Sequence, residues 1–185
     1  GTDEKVLRAA QIVLDEGIGV PVLLGQPARI AECISSLGLS LSRAEMLEPG
    51  EAPQFEKYAA AFYELRRRKG VNREDALRHM RRRHYFGPMM VRQGDADVFI
   101  SGQTRYYPDA IRPMLRVMSD HIEGHTIAAV HIAIKGGKHY FLADTSVNLD
   151  PTAEEVADIA ENVHQLALDL GIEPKMALLS FASFG

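Results

Sequence analysis

Arginine is the residue type in this sequence with the most capacity for binding chemistry, and it is clustered. Arg66-Arg67-Arg68-Lys69 closes one stretch of helical periodicity, and Arg81-Arg82-Arg83 lies near the end of the next. Arg105 and Arg112 flank a Tyr-Tyr-Pro phrase further on. Guanidinium groups suit phosphate oxygens because they offer paired, charge-assisted hydrogen bonds. Cations at a helix C-terminus also complement the helix dipole with no ligand at all. Two readings therefore stand for the two clusters: they face acidic groups elsewhere in the protein, or they build a site for a polyanionic ligand.

Other chemistry-bearing residues are less organised. Asp95 and Asp97 are spaced as a carboxylate pair, but they alternate with an apolar run and read as caps at a strand entry. His121, His125, His131, His139 and His164 are scattered over different segments with no metal-binding spacing, so no metal is expected. Ser180 and Ser183 lack both a visible partner base and the spacing of a nucleophile elbow. Cys33 is the single cysteine, which excludes an internal disulfide and a multi-cysteine zinc site.

The elements that would position these residues follow from periodicity. Asp3 to Glu16 reads as a helix stopped by Gly17, and Val20 to Gly25 as a buried strand. Pro27 opens a second helix with Ile30, Cys33, Ile34 and Leu37 along one face. Gly25-Gln26-Pro27 is too short to be a phosphate loop of known spacing. A weak strand over Ala44–Leu47 precedes a long helix from Gln54 to Lys69, another capped by Asn72, and a third over His84–Gln93. Val98-Phe99-Ile100 then reads as a short buried strand ended by Ser101-Gly102, and Pro108 as the start of a helix. A strand end that feeds a helix N-terminus is where open α/β sheets bind ligands, and the unpaired N–H groups there favour anions. The same pattern also describes an ordinary turn with solvated arginines.

Beyond Met118 the pattern changes. His125–Ile134 and Lys138–Asp144 read as strands joined by the tight-turn signal Gly136-Gly137. Pro151 and Thr152-x-x-Glu155 open a helix through a capping box, and Lys175–Phe181 reads as a last strand. Strand–helix alternation points to parallel βα units, and the hairpin to a second unit beginning near residue 120. The chain enters a helix almost at its first residue and stops inside a strand-like run, which leads us to expect a piece of something larger.

Composition narrows the classes. The 185 residues are 46% hydrophobic and 25% charged, as in an ordinary soluble protein. A formal net charge of −4 argues against a general nucleic-acid binder. No stretch has the length and apolarity of a membrane span or the pattern of a signal peptide, so the cytoplasm is the default expectation.

Several phrases together resemble the phosphate acetyltransferase/butyryltransferase family. They are Met89-Met90-Val91-Arg92-Gln93-Gly94-Asp95-Ala96-Asp97, Ser101-Gly102, Ile111-Arg112-Pro113, Ala143-Asp144-Thr145-Ser146-Val147-Asn148, Pro151-Thr152-Ala153-Glu154-Glu155, and Gly171-Ile172-Glu173-Pro174-Lys175 running on to Leu179-Ser180-Phe181. They stand in the family's order and cover essentially the whole chain. Thr104-Arg105-Tyr106-Tyr107-Pro108 and Ser180-Phe181-Ala182-Ser183-Phe184-Gly185 are more similar to the C-terminal transacetylase-like domain of large bacterial NADP-dependent malic enzymes than to stand-alone transacetylases. Val98 departs from the family, which usually has Gly there.

The resemblance implies a phosphotransacetylase-like architecture of the isocitrate/isopropylmalate dehydrogenase type. It has a three-layer parallel-sheet subdomain (residues 1–120) and part of a second α/β subdomain with a β-hairpin (residues 121–185), both incomplete. Acyl-CoA would bind in the cleft between them. Arg66 and Arg112 match arginines that contact CoA or phosphate in the family, and Ser101, Gly102, Thr104 and Arg105 would line the same cleft. The family's catalytic Ser-Arg and Asp would lie beyond Gly185, so no catalytic residue and no cofactor are expected within the chain. Acetyl-CoA would act as effector. NADP and a divalent metal would belong to the malate-oxidising part of the parent, and a homodimer would form through this domain.

Overall fold

The computed structural model describes residues 1–103, 106–118 and 126–179. The chain divides into two compact units, residues 1–120 and 121–185. Among the described residues it is a mixed α/β protein with one small parallel and one small antiparallel sheet.

In the first unit, helix α1 (Glu4–Asp15) starts where Asp3 Oδ1 accepts the Val6 N–H at 3.1 Å, and it buries Leu7, Ala10 and Leu14. Strand β1 (Val22–Leu24), helix α2 (Pro27–Ser36) and strand β2 (Glu45–Leu47) form a β–α–β step with parallel pairing, Leu23 opposite Met46. Pro27 at the start of α2 costs no hydrogen bond, because the first N–H groups of a helix have no internal partner. Leu7, Leu14, Leu23, Ile30, Ile34 and Leu41 close over this step as one apolar cluster.

A second, larger cluster joins four helices: α3 (Phe55–Arg66), α4 (Arg73–Met80), α5 (Arg83–Arg92) and α6 (Tyr107–Met118). Tyr58, Phe62, Met80, Phe86, Met89 and Val117 are fully buried in it. Phe62 meets the Tyr85 ring edge-on at 5.5 Å, and Tyr58 lies 5.0 Å from Phe86, both favourable aromatic geometries. The fully buried Tyr58 places its hydroxyl at the cluster edge, where it donates to Asp95 Oδ2 at 2.5 Å. That bond, with Lys57 Nζ at 3.5 Å, holds the Asp95 carboxyl below the usual carboxylate range.

The buried strand expected over Val98–Ile100 is not formed. Val98 and Ile100 are 72% and 87% exposed, and the segment has no ladder partner among the described residues. Only Phe99 is held: its ring lies against α5 so closely that a Cβ on Gly87 would stand 2.2 Å from Phe99 Cε2. Three apolar residues in a row signal a strand only where a neighbouring backbone supplies hydrogen bonds.

The second unit is a hairpin and a helix. Strands β3 (Val130–Lys135) and β4 (Lys138–Ala143) pair antiparallel, with Ile132 opposite Phe141. Gly136 and Gly137 turn between them at φ 57° and 74°, the pair of positive values that a two-residue hairpin turn demands. The strand expected from His125 begins only at Val130, and His121 and His125 lie outside the described residues. Helix α7 (Ala153–Asp169) opens on the reciprocal Thr152–Glu155 capping box. The last expected strand is not formed over residues 175–179, where Leu178 and Leu179 are exposed, and Ser180 to Gly185 lie outside the described residues.

Asp144 organises the turn between β4 and α7. Its Oδ1 accepts the Ala129 N–H at 2.9 Å, and its Oδ2 accepts both the backbone N–H and the side-chain amide of Asn148 at 2.6 Å. Burial pushes this carboxyl up, but backbone N–H groups of Ala129, Asn148, Ser146 and Val147 outweigh it and hold the group low.

Candidate functional site: an arginine-lined cavity

The C-terminal ends of β1 and β2 open into a cavity of about 690 Å³ within the first unit. Gly25 and Gln26 follow β1, and Glu48 follows β2. The Gly25 N–H continues the sheet by donating to the Leu47 carbonyl at 2.8 Å. Gly25 has φ 146°, a conformation that L side chains rarely adopt, and a Cβ there would stand against Ile30 and the Arg83 side chain. Helices α2 and α5 both start at this cavity, and neither has a side-chain cap. Their first N–H groups therefore add a field that favours anions.

Six arginines line the cavity: Arg29 from α2, Arg81, Arg82 and Arg83 from the α4–α5 junction, and Arg112 and Arg116 from α6. Glu48 and Asp109 are the carboxylates on the same wall. Among the described residues no ion pair ties any of the six to an acid. Arg81 lies 5.6 Å from the Phe55 ring centroid, and Arg116 donates to the Tyr85 hydroxyl at 3.2 Å. Of the two readings open for the arginine clusters, pairing with acids is absent for Arg81, Arg82 and Arg83 among the described residues. Like charges gathered in one concave wall without acidic partners repel each other, and an anionic ligand relieves that repulsion.

Helix α6 brings two of the six into place, and its C-terminus is fixed by arginines outside the cavity. Arg66, only 7% exposed, donates from Nε to the Arg116 carbonyl at 2.6 Å and from Nη2 to the Leu115 carbonyl at 3.2 Å. Arg92 Nη1 donates to the Val117 carbonyl at 2.8 Å. The last carbonyls of a helix have no internal partner, so these charge-assisted bonds satisfy groups that would otherwise be left bare.

The residues named from the sequence separate accordingly. Arg112 lines the cavity, whereas Arg66 supports α6 from outside the lining. Ser101 is exposed, with its Oγ 3.2 Å from Nδ1 of His84, a cavity residue, and Gly102 beside it is exposed too. Thr104 and Arg105 lie outside the described residues. Sequence reasoning passed over Arg29, Glu48, His79 and Arg116. The available signal was position: Gln26 and Arg29 follow directly on a parallel strand end, where a ligand is expected even without a glycine-rich loop. His79 Nδ1 and Glu48 Oε2 are shut off from solvent with no hydrogen-bond partner among the described residues. Among those residues, no cluster of His, Cys, Asp or Glu is able to hold a metal ion, and no helix is long and apolar enough to cross a membrane.

The fold matches solved phosphotransacetylases. Against the phosphotransacetylase from Streptococcus pyogenes the TM-score is 0.86 at 34% identity, covering 99% of this chain and 56% of that one. A phosphate acetyltransferase of Thermoanaerobacterium thermosaccharolyticum is 36% identical over 192 residues, covering all of this chain and 58% of that protein. An NADP-dependent malic enzyme of Salmonella typhimurium is 34% identical over 189 residues, again across the full chain but only 25% of the enzyme. The chain thus spans a little over half of some relatives and a quarter of others. Residues 1–185 match the family described as phosphate acetyl/butaryl transferase, and the chain belongs to that family.

Proposed function

We propose that this transacetylase-like domain binds acetyl-CoA through the arginine-lined cavity and serves as the effector domain of an NADP-dependent malic enzyme. The observation that carries the binding reading is the set of six arginines with no acidic ion-pair partner among the described residues. CoA presents several phosphate charges, and Arg82 at the α4–α5 junction and Arg112 on α6 would meet them from two sides of the cavity wall. The effector role draws on the malic-enzyme relative, which is similar along the whole of this chain. In that role acetyl-CoA binds the less active state of the parent more tightly, because only differential affinity moves an equilibrium. A homodimer through this domain is part of the same proposal, as are NADP and a divalent metal in the malate-oxidising part.

A second reading, catalytic transfer of acetyl between CoA and phosphate, draws on the phosphate acetyltransferase relative and the phosphotransacetylase structure. In it the same arginines would neutralise phosphate and the charge developing on the acyl oxygen. The discriminating experiment is malate-driven NADPH formation by the full polypeptide, with and without acetyl-CoA, in the native protein and in Arg82→Ala and Arg112→Ala. The effector reading predicts that acetyl-CoA suppresses turnover and that either substitution weakens the suppression. Turnover indifferent to acetyl-CoA overturns it. Acetyl phosphate made from acetyl-CoA, with no malate turnover, establishes the second reading instead.

A further inference from the structure

We propose that anion binding in the arginine-lined cavity is coupled to protonation of His79, so that the occupied cavity takes up a proton that the empty one excludes. The inference rests on the reading that this cavity takes a phosphate-bearing ligand.

His79 belongs to the last turn of α4 and forms part of the cavity wall. Its ring is caged: Tyr85 of α5 stacks on it at 4.4 Å and 37°, and Phe62 of α3 meets it edge-on at 5.6 Å. Nδ1 is shut off from solvent and has no hydrogen-bond partner among the described residues. A protonated ring would bury an N–H there with no acceptor, so the cage favours the neutral tautomer with its proton on Nε2.

The surrounding charges act in the same direction. α4 contributes Arg78 and Asp75, which pair with each other, and Arg82 follows at its C-terminal end. α6 contributes Arg116, held beside the cage by its bond to the Tyr85 hydroxyl. α3 and α5 present the aromatic rings of Phe62 and Tyr85. Burial comes first in keeping the imidazole below the ordinary histidine range, then Arg82, Arg116 and Arg78, with Asp75 alone opposing.

Arg82 and Arg116 are also cavity residues, so an anion that neutralises them changes the field at His79. One added phosphate charge roughly 8–10 Å away, at an effective dielectric of about 25, raises the histidine midpoint by about one pH unit. Linkage then requires the ligand to bind about tenfold more tightly below both midpoints than above them, apart from titration of its own phosphates. That titration acts in the opposite direction, because a protonated phosphate carries less charge. The imidazole must therefore be observed directly.

The test is a titration of the histidine Cε1–H signals by carbon–proton NMR from pH 5 to 8, with and without saturating coenzyme A. The His79 signal is assigned by its contacts with the Phe62 and Tyr85 rings and confirmed by its loss in His79→Gln. Calorimetry on the same samples shows whether coenzyme A is bound. A His79 midpoint that rises by about one unit with ligand supports the coupling. An unmoved midpoint in a protein that calorimetry shows to be occupied overturns it and leaves the binding reading intact. No heat of binding at any pH overturns the binding reading and the coupling with it.

Discussion

The two units of this chain are held together by different forces. The first has two apolar clusters, and around them it gathers six arginines into one wall. The second has only Ile159 and Ala167 as buried apolar residues among those described, while Ile134 of the hairpin is 68% exposed. Its order comes from polar groups: the Asp144 carboxylate and the Thr152–Glu155 box. Charge repulsion in a cationic site destabilises the fold that carries it, so such a site needs a scaffold with packing energy in surplus. The first unit has that scaffold, and the arginine wall is found there.

The contrast is broken most severely in the packed unit. Phe62→Ala deletes a fully buried ring that contacts His79 and Tyr85. It is expected to cost about 3–5 kcal/mol in urea unfolding. A loss below 1 kcal/mol would show that the aromatic cluster is not what carries the first unit. Arg66→Ala comes next, at about 2–4 kcal/mol, because it removes two charge-assisted bonds and strands the carbonyls of Leu115 and Arg116. It is also expected to weaken coenzyme A binding by displacing Arg112 and Arg116. Full affinity in a folded Arg66→Ala protein would mean that α6 holds its place by other contacts.

Asp144→Asn sharpens the other half of the comparison. It keeps one acceptor oxygen but loses the charge, and a cost of about 1–3 kcal/mol is expected in hydrogen exchange of the β3–β4 hairpin. The native carboxyl is held low, so its stabilising share is fully present above the unfolded value of about 4 and is lost as pH falls through the folded value. The variant should lack that acid-range loss. His79 acts in the same direction: its folded midpoint lies below the unfolded one, so the ligand-free protein loses stability as pH falls below about 6.5.

Much of this was legible in the sequence, for identifiable reasons. Asn72 and Thr152 mark helix starts that the structure confirms through their side-chain bonds, of Thr2 and Asp3 as caps for the first helix it is Asp3 that bonds, and Gly136-Gly137 marks the hairpin. These signals are local, and local chemistry suffices to specify them. Val98–Ile100 and residues 175–179 misled because a strand needs a partner, and an apolar run does not say whether one is there. The site was half visible. Arg81-Arg82-Arg83 and Arg112 stood out as charge clusters and motif residues, while Arg29, Arg116 and His79 join them only through the packing of α2, α4 and α6. Arg66 stood out for the same reason as Arg112, and in the structure its guanidinium donates to the carbonyls of Leu115 and Arg116. The smallest effect follows from the misread strand: Val98→Ser, at a position 72% exposed, should change stability by no more than about 0.5 kcal/mol in thermal unfolding. A larger loss would mean that the segment is packed in solution.

The central claim is that the arginine wall binds the phosphates of CoA. Titration calorimetry of acetyl-CoA with the full polypeptide and with Arg112→Ala tests it most directly. The account predicts binding that weakens with added salt and falls by about 10- to 100-fold in the variant, the loss of one guanidinium–phosphate contact. Equal affinity in the two proteins would contradict it.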